Sequence, residues 1–132
     1  MEPSEFWSIG DYGVVGDLWS SPGRDLAASL EVAGLDVIDL ATGTGVTAIA
    51  AAKHDAASVV GVDVTPSLLA EAARRGRTAG VDVRWIEADV ESVPLPDASA
   101  DLVISTFGLV FAADPSRALA EARRLARPGG RI

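Results

Sequence analysis

From residue 35 onward, short apolar runs alternate with longer segments in which apolar residues recur every three or four positions. The runs predict buried strands and the periodic segments predict amphipathic helices. Such alternation is typical of βαβ units, so the sequence predicts an α/β fold with a parallel sheet. The predicted strands cover residues 35–40, 59–64, 83–87 and 102–105, with a fifth beginning at residue 131, and the predicted helices cover residues 46–54, 67–79 and 116–127.

The ends of the predicted helices carry recognisable signals. Thr65 and Asp114 each precede a proline and are expected to cap a helix with a side-chain oxygen. The segment 128–130, Pro-Gly-Gly, is expected to stop the last helix and to turn the chain into the fifth strand.

Residues 1–34 differ in character and are predicted to form an N-terminal helical cap segment. Together with residues 35–132 they are expected to make one structural domain. Trp7 and Trp19 are expected to be packing anchors, because large aromatic side chains usually contribute buried area. Tyr12 is the better candidate for a residue that covers the ligand. Pro22 and Gly23 are expected to divide this segment into two small helices.

Composition narrows the functional classes. The 132 residues include 19 acidic and 11 basic side chains, and the net charge of −8 has the wrong sign for a nucleic-acid surface. No apolar run is long enough to cross a membrane, and without cysteine no disulfide framework is expected. A cytoplasmic location is therefore predicted. The arginines at 74, 75, 77, 123, 124 and 127 are expected to lie on solvated helix faces and helix ends.

The glycine-containing segment 39–45, Asp-Leu-Ala-Thr-Gly-Thr-Gly, follows the first strand and leads directly into a helix. Glycines at 43 and 45 let the backbone approach a ligand closely, and the helix directs its free N–H groups at that ligand. This pattern predicts a site for a nucleotide-like cofactor. The segment also satisfies the G-x-G-x-x-A pattern of dinucleotide-binding proteins, so a nicotinamide cofactor stays an alternative.

Two further acids end predicted strands. Asp63 lies eighteen residues beyond Gly45, where a carboxylate can accept hydrogen bonds from both ribose hydroxyls of an adenosyl ligand. Asp89 follows the third strand. Because ligands of open parallel sheets bind outside the carboxyl ends of the strands, Asp39, Asp63 and Asp89 are expected to converge on one crevice.

Five ordered segments resemble the class I S-adenosylmethionine-dependent methyltransferases, and specifically their small-molecule, ubiquinone/menaquinone-type branch. The resemblance extends over residues 35–132 and implies a Rossmann-like sheet of strand order 3-2-1-4-5 flanked by helices. It also implies S-adenosylmethionine as cofactor and methyl transfer to a small-molecule acceptor. The segments are 39–45, 61–69, 87–97 (Glu-Ala-Asp-Val-Glu-Ser-Val-Pro-Leu-Pro-Asp), 107–108 (Phe-Gly) and 127–130 (Arg-Pro-Gly-Gly).

The resemblance also implies roles for individual residues. Gly43 and Gly45 would line the methionine part of the cofactor, and Asp39 would orient its amino group. Asp63 would hold the ribose hydroxyls and Asp89 the adenine amino group. The complete set implied to bind the cofactor is Asp39, Ala41, Gly43, Thr44, Gly45, Asp63, Val64, Leu68, Asp89, Val90, Ser105 and Thr106.

A few aromatic residues are the candidate contacts of the methyl acceptor, and the reaction is expected to need no catalytic side chain. Tyr12 and Phe107 are the candidate substrate contacts, and Phe6, Trp7 and Phe111 also suggest an apolar or aromatic acceptor. Methyl transfer from a sulfonium is an in-line displacement that depends on alignment and exclusion of water, so no catalytic acid or base is predicted. No metal-ligand grouping can be assembled. The single histidine, His54, is expected at an exposed helix end.

Two alternative functions stay open, and the first of them follows from the C-terminus. The family's sheet has seven strands, and strands six and seven are expected to be absent here because the chain is predicted to end two residues into strand five. The exposed sheet edge could then pair with a second copy, giving a homodimer. The alternative functions are a noncatalytic cofactor-binding fragment that self-associates and an NAD-binding Rossmann protein.

Overall fold

The computed structural model describes residues Met1–Ile132 and contains a five-stranded parallel sheet with strand order β3-β2-β1-β4-β5. This is the predicted α/β fold and strand order. The strands are β1 Asp36–Leu40, β2 Ser58–Asp63, β3 Arg84–Glu87, β4 Ala100–Ile104 and β5 Ala126–Arg131. The helices are α1 Pro3–Trp7, α2 Tyr12–Asp17, α3 Ser20–Ser29, α4 Val46–Lys53, α5 Pro66–Ala79, α6 Pro115–Leu125 and a 3-10 helix at Leu109–Phe111.

Both faces of the sheet are covered, as expected for parallel strands. On one face Val37, Val59 and Leu102 pack with alanines of α3 and α4. On the other face Ile38 and Val103 pack with residues of α6. None of the six α-helices combines the length and apolar character that a membrane-spanning helix needs.

Predicted boundaries agree with the observed ones to within about two residues except at the last strand. The last helix ends at Leu125, before residue 127, and β5 begins immediately at Ala126 rather than at residue 131. Ala126 pairs with Ala100 and Arg131 with Leu102, so four residues bulge opposite Asp101. The Pro-Gly-Gly segment therefore turns the chain within β5, and self-association along this sheet edge stays a prediction.

The N-terminal segment differs from its prediction in two respects. It forms three helices, and Pro22 and Gly23 lie inside α3, because a proline is tolerated in the first turn of a helix. Trp19 is 67% exposed, so it is not a buried anchor. Gly23 is buried against α4, where a Cβ would clash with the Thr47 hydroxyl, so α3 is fixed to the sheet domain. The domain division at residue 34 stays a prediction.

Helix capping also follows the prediction only in part. The Asp114 side chain accepts hydrogen bonds from the N–H groups of Ser116 and Arg117, as expected. Thr65 has no side-chain capping bond, and its buried hydroxyl lacks a partner. The Asp63 carboxylate instead accepts from the Thr65 N–H at 2.9 Å.

Several arginines connect elements and are not simply solvated. Arg124 donates to the carbonyls of Val93 and Leu95 and pairs with Glu121 and Asp97. It thereby ties the segment after β3 to α6. Arg127 at the start of β5 pairs with Asp36 and Asp101, each at 2.9 Å. The exposed His54 follows α4 directly, as predicted.

Candidate functional site

A cavity lies where the carboxyl ends of β1, β2 and β4 meet the N-terminal helices, and we call it the ligand cavity. A polar branch extends from it toward the N-terminus of α4, and Asp39 and Thr44 line that branch. Gly45 and Ser105 line neither space. Ten of the predicted residues line the ligand cavity, namely Tyr12, Ala41, Gly43, Asp63, Val64, Leu68, Asp89, Val90, Thr106 and Phe107.

Asp63 connects the glycine turn to the end of β2. Its Oδ2 accepts a hydrogen bond from the Gly43 N–H at 2.8 Å, while Oδ1 accepts from the Thr65 N–H at 2.9 Å. A carboxylate has about four lone-pair positions, so two acceptor positions stay free for a ligand. Asp63 therefore shapes the turn as well as facing the ligand cavity.

The two glycines of the turn serve different purposes. Gly43 lines the ligand cavity at φ +56°, and a Cβ there would lie 3.9 Å from the Tyr12 ring. Gly45, at φ +83°, faces away, and a Cβ there would lie 2.6 Å from the Trp85 ring. The lack of a side chain at Gly45 therefore makes room for Trp85, and a contact of Gly45 with the cofactor stays a prediction.

Asp39 is an almost completely buried carboxyl group. Only 1% of the residue is exposed, and the Thr42 hydroxyl donates to Oδ2 at 2.6 Å, while Oδ1 has no hydrogen-bond partner. Burial raises the pKa of Asp39 to about 7, although the Thr42 hydroxyl and the Ala48 N–H oppose this shift and the charge of Asp63 adds to it. A cationic group in the polar branch would stabilise the ionised form of this carboxyl group.

The pH dependence of stability should reveal this buried acid. The folded chain holds the Asp39 proton up to about pH 7, while the unfolded chain releases it near pH 3.8, so ionisation destabilises the fold as the pH rises between these values. Asp39→Asn lacks this ionisation, so its melting temperature minus that of wild type should increase from pH 4.5 to pH 7.5. The corresponding difference in the free energy of unfolding is at most on the order of 4 kcal/mol. Circular dichroism melts measure this difference. A constant difference would contradict the raised pKa.

Asp89 and its neighbours form the side of the ligand cavity nearest β3. Asp89 is exposed, and its Oδ1 accepts from the Glu91 N–H at 2.9 Å. Val90 and the buried Leu68 supply apolar lining next to it. Polar and apolar groups thus stand side by side, as recognition of a heteroaromatic ring requires.

The loop after β4 meets the loop after β1 at close range. Ser105 does not face the ligand cavity, because its hydroxyl donates to the Leu40 carbonyl at 2.8 Å. A Cβ at Gly108 would clash with the Ala41 Cβ, so only glycine permits this approach. Ala41 and Phe107 have φ angles of +54° and +63°. Left-handed backbone at non-glycine residues is uncommon and clusters at functional sites.

Aromatic side chains form the outer wall. The Trp7 ring meets the rings of Tyr12 and Phe111 edge to face, with centroid distances of 5.3 and 5.0 Å. Trp7 and Phe111 line the ligand cavity, as suggested from the sequence, together with Tyr12. Sequence reasoning missed four lining residues, which have small or apolar side chains that give no chemical signal: Pro3, Gly108, Ala112 and Ala113.

Comparison with known proteins defines the class. Residues 37–130 match the family described as "Methyltransferase domain", and this match covers most of the chain. Together with the sheet order and the ordered segments around Gly43, Asp63 and Asp89, it shows that the chain belongs to the class I S-adenosylmethionine-dependent methyltransferases. The resemblance seen in the sequence is confirmed.

Individual relatives refine this placement. The chain is 42% identical over 115 residues to a demethylmenaquinone methyltransferase of Thermus thermophilus, covering 86% of this chain and 51% of that protein. A solved S-adenosylmethionine-dependent methyltransferase from Mesorhizobium loti is 33% identical, with a TM-score of 0.69 over 83% of this chain and 48% of that one. The YcgJ protein of Bacillus subtilis is 26% identical, with a TM-score of 0.77 over 83% and 48%. The chain spans about half the length of the curated relatives it matches.

Proposed function

We propose that this chain binds S-adenosylmethionine in the ligand cavity and transfers its methyl group to a small apolar aromatic acceptor. The observation that carries the proposal is the convergence of Asp39, Asp63 and Asp89 on the ligand cavity and its polar branch, with an outer wall of aromatic side chains. The Thermus relative, a demethylmenaquinone methyltransferase, supports an acceptor of this chemical kind.

The residues fit the proposed cofactor. The unpartnered Asp39 Oδ1 suits the ammonium group of the methionine part, since an isolated buried carboxylate oxygen requires a positive or hydrogen-bonding partner. The free acceptor positions of Asp63 suit ribose hydroxyls. Asp89 would accept from the adenine amino group, while Val90 and Leu68 contact the ring. This acidic lining suits a positively charged cofactor better than the pyrophosphate of NAD.

The mechanism requires alignment more than acid–base chemistry. When bound, S-adenosylmethionine supplies an activated methyl group on a positively charged sulfur. The chain holds the two reactants in line, and the rings of Trp7, Tyr12 and Phe111 exclude water from the reacting centre. Apart from Asp63, Asp89 and Tyr12, no titratable side chain lines the ligand cavity. We therefore infer that the acceptor brings a nucleophile that needs no strong base.

A binding and transfer experiment tests this proposal. S-adenosylhomocysteine at about 100 times its dissociation constant should stabilise the chain by about 2.7 kcal/mol, whereas NAD should cause no shift in melting temperature. Methyl-labelled S-adenosylmethionine should then label demethylmenaquinol more than a charged amine acceptor such as histamine. Stabilisation by NAD alone would refute the cofactor assignment. Binding of S-adenosylhomocysteine with equal or greater labelling of histamine would refute the acceptor class.

A further inference from the structure

The helices α1 and α2 form a cover over the ligand cavity, and this cover has almost no core of its own. Neither helix contains a buried residue. By contrast, α3 is fixed on α4 through the buried Gly23. Since Trp7 and Tyr12 of the cover line the ligand cavity, the closure of the cavity depends on a few individual contacts.

Arg75 of α5 makes the polar contact that fixes α2. Its Nη1 and Nη2 donate to the two carboxylate oxygens of Asp17, at 2.7 and 3.4 Å. Its Nε donates to Glu71 Oε1 at 2.7 Å, which orients the guanidinium group. A Cβ at Gly13 would lie 3.5 Å from Nη2, so the guanidinium group lies close to the first turn of α2. Only 23% of the Arg75 side chain is exposed.

The position of this ion pair connects it to the cavity wall. Asp17 ends α2 and Tyr12 begins it, so holding one end of this single short helix restrains the other. Tyr12 in turn lies against Gly43 and meets the Trp7 ring edge to face. Arg75 itself does not line the ligand cavity.

We propose that Arg75 is a positioning residue that, through Asp17, holds the cover closed over the cofactor and acceptor. Closure places Trp7 and Tyr12 against the bound ligands and removes water, and opening allows exchange of the ligands. An Arg–carboxylate pair with two hydrogen bonds fixes both distance and orientation, which a single point charge would not do. The kinetic consequence rests on the proposed function, while the closure itself does not.

Hydrogen exchange measured on the full chain tests the closure without any catalysis. In Arg75→Gln, the amides of residues 12–19 should exchange roughly 3–10 times faster than in wild type, while those of β1 stay unchanged. The matched control is Arg74→Gln, because Arg74 pairs with Glu71 at 2.6 Å and makes no hydrogen bond or ion pair with the cover. The control should exchange like wild type. Unchanged exchange of residues 12–19 in Arg75→Gln would overturn the proposal, whether or not the chain is active.

A double-mutant cycle separates the pair from a general effect of Arg75. Asp17→Asn should speed exchange by a similar factor, and Asp17→Asn/Arg75→Gln should add little to either single change. Additive effects would overturn the role of Asp17. Because the pair is partly exposed, 1 M salt should bring wild type closer to the variants.

The kinetic consequence has its own readout. In Arg75→Gln the KM for the acceptor and the dissociation rate of S-adenosylhomocysteine should rise about 3–10-fold, with a smaller change in kcat. If the amides of residues 12–19 exchange faster in Arg75→Gln but wild type transfers no methyl group, the closure is upheld and the proposed function is refuted. A fall in kcat alone, at unchanged KM and unchanged exchange, would refute the closure.

Discussion

Replacing Asp63 with alanine is expected to weaken binding of S-adenosylmethionine at least about 100-fold, which corresponds to roughly 2.7 kcal/mol. The substitution removes the proposed acceptor for the ribose hydroxyls. It also leaves the N–H groups of Gly43 and Thr65 without the carboxylate oxygens that now lie 2.8 and 2.9 Å away. Loss of a hydrogen bond to a charged group costs about 1.5–3 kcal/mol, so the turn itself should loosen. Isothermal titration calorimetry measures the affinity.

Two further variants make this result interpretable. Asp63→Asn keeps one acceptor oxygen but places an amide donor near the backbone N–H groups, so its affinity should lie between those of alanine and wild type. Asp82→Ala changes an exposed acid without a hydrogen-bond partner in the site and should bind like wild type. Circular dichroism should show that each variant is folded at the temperature of the titration. An Asp63→Ala affinity within threefold of wild type would show that Asp63 does not hold the cofactor.

Replacing Gly61 with alanine is expected to lower the free energy of unfolding by about 1–3 kcal/mol, the usual cost of overpacking a core. A Cβ on Gly61 of β2 would lie 2.5 and 2.6 Å from two atoms of the rigid Trp85 ring and 3.0 Å from Thr42 Cγ2. The ring cannot retreat toward Gly45, where a Cβ position already lies 2.6 Å from it. Urea unfolding of both proteins measures the difference.

A second glycine next to the Trp85 ring provides a control that should not lower the free energy of unfolding. Gly76 lies inside α5, and a Cβ there would meet the ring at an ordinary 3.5 Å. Gly76→Ala should therefore be neutral or should stabilise the chain by up to about 1 kcal/mol, because alanine favours helix more than glycine does. In a Trp85→Leu background the cost of Gly61→Ala should largely disappear. If Gly61→Ala costs the same in both backgrounds, the steric explanation is wrong.

The sheet was predictable because its signal is local. Runs of apolar residues, separated by segments of helical periodicity, predicted the strands and helices and hence a parallel sheet. The strand order 3-2-1-4-5 was implied by the resemblance to the family, and the structure has it. The start of β5 was not predictable from the sequence, because α6 stops at Leu125, where Ala126 pairs with Ala100 of β4. The exposed position of Trp19 had no local signal either, since nothing in its neighbourhood states which face of the N-terminal helices meets the sheet.

Site residues divide in the same way. Asp63 and Gly43 were predictable because strand ends of a parallel sheet always meet at one edge. Gly45 and Ser105 were assigned to the cofactor by resemblance, and these two assignments stay predictions. In the structure a Cβ on Gly45 would meet the Trp85 ring, and the Ser105 hydroxyl donates to the Leu40 carbonyl. Spacing along the chain shows which loop a residue occupies but not the direction of its side chain.

The sequence by itself determined the class of this protein: a parallel sheet with a glycine turn and three acids at strand ends, in an order that matches one family. Only the tertiary structure decided which contacts close the site, including the Arg75–Asp17 pair that joins α5 to α2 across 58 positions of the chain. The physical reason is the distance along the chain over which each interaction acts. Strands and turns follow from backbone preferences within a few residues, whereas the burial of Asp39 and the pairing of Arg75 arise only when distant segments pack together.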